Sequence, residues 1–189
     1  MLTFGDDVKW MRIEDICEIS RGRVISKDYI NDNNGIYPVY SSQTEGEGVL
    51  GKINSYDYDG EYLTWTTDGA NAGSVFYRLG KFSVTNVCGL LKVNAKNILT
   101  KYVFYALGIT APNYVNKGMG NPKLMSHQIS KIKIPVPPLS EQERIVFILN
   151  RFDALCNDLT SGLPAEINAR KKQYEYYRDK LLTFKELAK

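Results

Sequence analysis

The sequence predicts an α+β fold: a curved, mostly antiparallel sheet with short helices over residues 1–138, then a long two-helix, coiled-coil-like arm over residues 139–189. Two observations carry this. Short runs rich in Val, Ile, Tyr, Phe and Thr recur from residue 37 to residue 93, separated by Gly, Asn and Asp, as strands joined by turns do. After Pro138 the apolar residues fall three and four apart, the period of one helix face.

Taken in order, Ile13, Ile16, Cys17 and Ile19 suggest a short helix ending at Arg21-Gly22-Arg23. Strands are expected at Tyr37–Tyr40, Val49–Ile53, Tyr62–Thr66, Ser74–Tyr77, Lys81–Thr85 and Cys88–Val93, with Asn31–Gly35 and Asp57–Glu61 as turns and Arg78-Leu79-Gly80-Lys81 as a hairpin turn. Thr100–Leu107 reads as a helix capped by Thr100 and ended by Gly108, Asn116–Pro122 as a Gly/Asn loop, and Leu124–Ile129 as one further turn. Ile132–Val136 is extended, and Pro135, Pro137 and Pro138 hold their preceding residues out of the helical region. Ser140 is the expected N-cap of the next helix, with Glu141 and Glu143 at its positive end and Glu143 in the capping-box position. Its seam runs Ile145, Ile148, Phe152, Leu155 and Leu159; Gly162 and Pro164 stop it and start a second helix, whose seam is Leu163, Ile167, Tyr174, Tyr177 and Leu181, interrupted by Arg170. Fifty residues of seam with no other core favour an arm that dimerises and docks partners.

Composition narrows the class. No apolar run approaches the ~20 residues of a membrane span, and the amino-terminal residues lack the basic and apolar regions of a secretory signal. Cys17, Cys88 and Cys156 are odd in number and far apart, the pattern of reduced thiols in a cytoplasm. The net charge of +3 says little, but its distribution says more. Residues 1–68 carry six Lys/Arg against thirteen Asp/Glu, residues 69–140 carry nine Lys/Arg and no acid, and the remainder carries nine against eight. The central block is a plausible phosphate-facing surface, unless folding interleaves it with the acidic block.

Pro-Pro-Leu-Ser-Glu-Gln-Glu-Arg-Ile-Val at 137–146 and Glu-Ile-Asn-Ala-Arg-Lys-Lys-Gln-Tyr-Glu-Tyr-Tyr-Arg-Asp-Lys-Leu-Leu at 166–182 resemble a conserved region of the specificity subunits of type I restriction–modification systems. Gly-Ile-Tyr-Pro-Val-Tyr-Ser-Ser-Gln at 35–43 and Asp-Gly-Ala-Asn-Ala-Gly at 68–73 resemble that family's target recognition domains. The resemblance implies a non-catalytic DNA-binding subunit, built from a target recognition domain (1–138) and a conserved helical spacer (139–189), a pair usually present twice per polypeptide. It implies partners too: double-stranded DNA, methyltransferase subunits that bind S-adenosylmethionine and methylate adenine, a translocase–nuclease subunit, and a second copy through the helices. Leu2-Thr3-Phe4 matches Leu182-Thr183-Phe184 at an offset of 180 residues, which suggests one repeat unit ended at its joining point, as a half-length subunit or as an excised half.

Base reading needs short polar side chains on a rigid scaffold, with cations nearby for phosphates. Three loops qualify: Tyr40, Ser41, Ser42 and Gln43 after one strand; Thr66, Thr67, Asp68 and Asn71 after another; and the segment holding Lys117, Asn121 and Lys123. Gln43 and Asn71 suit adenine and Asp68 suits cytosine. Arg21 and Arg23 would add a clamp.

Enzyme readings find little to stand on. Gly35-Ile36-Tyr37 opens like a GIY-YIG nuclease but has no Tyr-Ile-Gly after it, and Asn121-Pro122-Lys123-Leu124 lacks the second Pro and the aromatic of an adenine methyltransferase loop. His127 has no nucleophile motif beside it, and Asp57, Asp59 and Glu61 fit a solvated turn better than a metal site. No cofactor or metal is therefore expected on this chain. A DNA-independent adaptor with a protein-binding β-rich domain is the alternative from another class, separable by gel shift on random duplexes.

Overall fold

The computed structural model describes residues 8–118, 120–158 and 164–183. Eight strands and six α-helices are formed among them: β1 Lys9–Arg12, α1 Ile13–Ile16, β2 Cys17–Arg21, α2 Lys27–Asp32, β3 Asn34–Tyr40, β4 Val49–Ile53, β5 Tyr58–Thr66, β6 Val75–Val84, β7 Cys88–Val93, α3 Thr100–Thr110, α4 Ser126–Ile129, β8 Lys133–Val136, α5 Leu139–Asp158 and α6 Pro164–Leu182. Six strands form one sheet in the order β2-β7-β5-β6-β3-β4, and β1 pairs with β8 in a separate ribbon. Every pairing is antiparallel except β3 with β6, which makes the larger sheet mixed.

Alternation along β5 explains the two faces of the sheet. Leu63 and Trp65 point into the main core, which α1, α3, β8, α5 and α6 complete with Ile13, Ile16, Tyr102, Val103, Leu107, Ile134, Ile145, Leu149, Leu181 and Leu182. Tyr62 turns to the other face, where it joins Phe82, Val84, Cys88 and Leu90 in a smaller cluster. A third cluster, Ile25, Ile30, Val39 and Ile53, lies beneath α2. Trp65 is fully buried and lies directly on β7; a Cβ on Gly89 would meet its ring at 2.3 Å, so that position admits no side chain.

Several expectations need correction. The hairpin turn at Arg78–Lys81 does not exist: β6 runs straight through it, in register from Tyr58↔Phe82 to Trp65↔Val75. Gly80 (φ 90) lies opposite Gly60 (φ 125), so the paired strands bend there without breaking. For the same reason β5 begins at Tyr58, within the expected turn at 57–61. The first helix is a single turn, and Cys17–Arg21 instead forms the edge strand β2. Helix α3 passes through Gly108 to Thr110, and its N-cap is Leu99. Helix α5 starts two residues early, with the Pro138 carbonyl accepting from the Glu141 and Gln142 amides, so Ser140 lies inside the first turn.

Both long helices form, but the core does not stop at residue 138. Ile145, Leu149, Leu181 and Leu182 are buried in the same cluster as the sheet. Ile148, Phe152 and Tyr174 are half-buried, Phe152 stacks on Tyr177 at 5.5 Å, and Tyr177 is otherwise exposed. Part of the seam assigned to a partner is thus occupied within the chain. Leu159 and Leu163 lie outside the described residues, as do the side chains of Leu155 and Ile167. Among the described residues no helix is long and apolar enough to cross a membrane.

Candidate nucleic-acid interface

The three polar loops, far apart in sequence, meet along one end of the sheet. The first closes the β3–β4 hairpin. Tyr40 accepts from the Thr85 amide at 2.9 Å, the Ser41 amide donates to the Gly48 carbonyl at 2.9 Å, and Ser41 Oγ accepts from Thr85 Oγ1 at 3.2 Å. Gln43 is exposed, and its amide nitrogen donates one N–H back to the Val49 carbonyl, which leaves the second N–H and the amide oxygen for a base edge.

The second loop joins β5 to β6. The Gly73 amide donates to Thr66 and the Thr66 amide to Ser74, both at 2.9 Å, which pinches residues 67–72 into a compact bulge. Thr66 and Thr67 are 1% and 3% exposed, so their expected contact with DNA is corrected: Thr67 Oγ1 donates to the Val87 carbonyl at 2.8 Å, and Thr66 Oγ1 is buried without a partner among the described residues. Asp68 and Asn71 remain at the surface, and Asn71 Nδ2 donates to Thr44 Oγ1 at 2.8 Å, tying this loop to the first.

The third loop is pinched by two backbone bonds between Asn116 and Lys123, at 2.8 and 3.0 Å. It docks on the second loop through Gly69 N–H to the Pro122 carbonyl at 3.0 Å and Leu124 N–H to the Thr67 carbonyl at 2.8 Å. Trp65 fixes it from below, its indole N–H donating to the Leu124 carbonyl at 2.9 Å. Lys117, Asn121 and Lys123 are all exposed.

The arginine clamp divides. Arg21 lies beside the third loop, within 3.4 Å of Ser126 Oγ and 3.7 Å of Met125 Sδ. Arg23 instead pairs with Asp57 at 3.0 Å and covers the Tyr29 ring, and its hydrogen bonds to Tyr29 and Asp57 hold its pKa above the usual value. Its charge is locally balanced.

The acid-free block is likewise interleaved rather than displayed. Lys92 sits opposite Glu18 and Lys81 opposite Asp59 in the sheet register. Lys101 lies over the Tyr77 and Phe104 rings, its pKa lowered by burial and supported by Asp153 and Glu61, and Arg78 is only 4% exposed. What this leaves at the loop end is Lys117 and Lys123, with Arg21 beside them. Sequence reading also missed Trp65 and Arg78, the two buried side chains that hold the loops; neither carries a local signal for that role. A cleft of about 420 Å³, lined in part by Thr44, Asn71, Phe76, Phe104, Tyr174 and Arg178, runs from this end toward α3 and α6.

An α+β scaffold that gathers short polar loops and cations at one end is the layout of a nucleic-acid recognition module. The family profile for the type I restriction modification DNA specificity domain matches residues 5–169, and the chain belongs to that family. The type I restriction enzyme MpnII specificity subunit of Mycoplasma pneumoniae is 50% identical over 173 residues, covering 92% of this chain and 52% of that protein. A second type I specificity-subunit sequence from the same organism is 50% identical over 174 residues, 92% of this chain and 57% of its own length. An N-terminal portion of another is 50% identical over 179 residues and is covered to 96%. The chain thus spans a little over half the length of the first two. Among solved structures, the S subunit of a type I restriction–modification system from M. genitalium superposes with a TM-score of 0.68 at 19% identity, over 95% of this chain and 47% of that one. The HsdS subunit from Thermoanaerobacter tengcongensis gives 0.64 at 18%, over 96% of this chain and 46% of that one. These likenesses establish the shared fold.

Proposed function

We propose that this chain reads one half of a bipartite DNA target as a specificity subunit of a type I restriction–modification system. The observation that carries the proposal is the joining of three sequence-distant polar loops by the Asn71–Thr44, Gly69–Pro122 and Leu124–Thr67 hydrogen bonds. Ser41, Ser42, Gln43, Asp68 and Asn71 are the side chains assigned to base edges, with Tyr40, whose ring lies against Arg78 and Phe82, fixing the first loop behind them, and Lys117, Asn121, Lys123 and Arg21 those assigned to phosphates. Chemistry belongs to partners: methyltransferase subunits bind S-adenosylmethionine and methylate adenine, and a translocase–nuclease subunit cuts unmethylated DNA in the cytoplasm. The distal parts of α5 and α6 pair with those of a second unit, set the spacing between half-sites and dock the methyltransferase subunits. Family membership gives the DNA-independent adaptor no support.

The test is methylome sequencing of a host that carries this chain with its methyltransferase partner. Asp68→Ala or Asn71→Ala changes or relaxes the methylated half-site, whereas Lys117→Ala with Lys123→Ala weakens binding to all duplexes and lowers the salt slope by about two. An unchanged motif in every loop variant refutes the assignment.

A further inference from the structure

Arg78 presents an unusual combination. It lies in the middle of β6, is 4% exposed, and among the described residues forms no ion pair with any carboxylate. Desolvating a guanidinium is costly unless fixed dipoles and rings replace its water. Here they do: Nε donates to Thr64 Oγ1 at 3.1 Å, one terminal nitrogen donates to the Glu47 carbonyl at 2.6 Å, and the plane lies 3.6 Å from the Tyr40 ring centroid and 4.7 Å from that of Phe76.

Both outer partners belong to the β3–β4 hairpin. Its tip holds three successive left-handed residues, Gly46 (φ 54), Glu47 (φ 58) and Gly48 (φ 80). Glu47 pays for that conformation with steric strain that a glycine would escape. Gly48 is required by space as well: a Cβ there would stand 2.8 Å from the Gln43 carbonyl oxygen and 3.3 Å from the Arg78 guanidinium. The hairpin tip is shaped around the arginine.

We propose that Arg78 is the positioning residue of the DNA-reading hairpin, holding Tyr40 and residues 41–48 in the one arrangement that presents Ser41, Ser42 and Gln43 to base edges, without touching DNA itself. This rests on the function proposed above and adds a specificity determinant to it. Only Arg meets the requirement, because its planar fork donates in two directions while its faces stack; lysine offers a point charge on a flexible stem.

The experiment uses the complex with its methyltransferase partner and compares wild type, Arg78→Lys and Thr64→Val. Thr64 is buried in β5 at the far end of the clamp and cannot reach DNA, so its variant keeps the question answerable if Arg78→Lys does not fold. For each, binding to the methylated motif's duplex and to a random duplex is measured at two salt concentrations, together with the methylome. The expected result is a fall of about tenfold in discrimination for Arg78→Lys and a smaller fall for Thr64→Val, the scale of losing one well-placed base contact, with random-duplex affinity and salt slope unchanged. Full discrimination in a folded variant overturns the proposal. A charge-removing variant, Arg78→Met, separates the remaining possibility: a salt slope reduced by about one there would make Arg78 a phosphate contact and overturns the proposal too. A wild-type complex that does not distinguish the two duplexes refutes the proposed function instead.

Discussion

Gln142 sits in the first turn of α5 and, although polar, is fully buried. Its amide nitrogen donates to the Pro137 carbonyl at 2.9 Å and the Asn97 carbonyl at 3.0 Å, and its Oε1 accepts from the Leu99 amide at 3.0 Å. One side chain therefore fastens the start of α5 to the start of α3. Gln142→Leu keeps roughly the volume and leaves the buried Pro137 carbonyl and the part-buried Leu99 amide and Asn97 carbonyl without partners. A buried group deprived of its hydrogen bond costs about 1–3 kcal/mol; with the larger share on the amide N–H, the total loss is about 3 kcal/mol. For a chain of this length 1 kcal/mol corresponds to about 2–4 °C, so the melting temperature should fall by about 6–12 °C. Glu143→Gln, exposed on the same turn, is the control and should stay within about 0.5 kcal/mol of wild type. Thermal and urea unfolding followed by circular dichroism measure both. A Gln142→Leu variant as stable as Glu143→Gln would show that these bonds do not hold the helix.

Three further outcomes follow from the packing. Thr66→Val replaces a buried hydroxyl that has no partner among the described residues, so the variant should be neutral or more stable by up to about 1 kcal/mol; a clear loss in urea midpoint would mean the hydroxyl is satisfied. Burial raises the Cys88 thiol from 9.0 to about 11 and the Cys17 thiol to about 12, so the fold holds the neutral forms. Their contribution is intact below pH 9.0 and is lost as pH rises toward about 11 for Cys88 and about 12 for Cys17, so Cys17→Ala with Cys88→Ala should flatten the alkaline decline in stability; an identical slope contradicts the burial argument. Finally, four residues added to the distal end of each long helix extend it by about 6 Å at ~1.5 Å per residue. That is nearly two base-pair steps of ~3.4 Å, and methylation mapping should show a longer spacer between half-sites; an unchanged spacer removes the ruler role.

What could be read from the chain alone is what neighbouring residues encode. Strands Val49–Ile53 and Cys88–Val93 stand at the expected residues, because runs of apolar residues bounded by Gly, Asn and Asp specify extended structure locally. The Gly/Asn loop before Lys123 and the helices after Pro138 were legible for the same reason, and so were the three loops as candidates. Which of their side chains face outward was not: Thr66 and Thr67 have the same polar character as Asp68 and Asn71, and only the pairing of Thr66 with Cys88 on β7 and the bonds of Thr67 to Val87 and Leu124 mark the contacts that bury them. Arg78 looked like a turn cation until Gly60 was placed opposite Gly80 and Tyr40 beneath its guanidinium. The burial of Gln142 depends on Asn97 and Leu99, more than forty positions away, which supply its partners. Periodicity and turn chemistry are short-range and survive in the linear sequence, whereas the burial of a polar group depends on partners that only the folded chain brings within hydrogen-bonding distance.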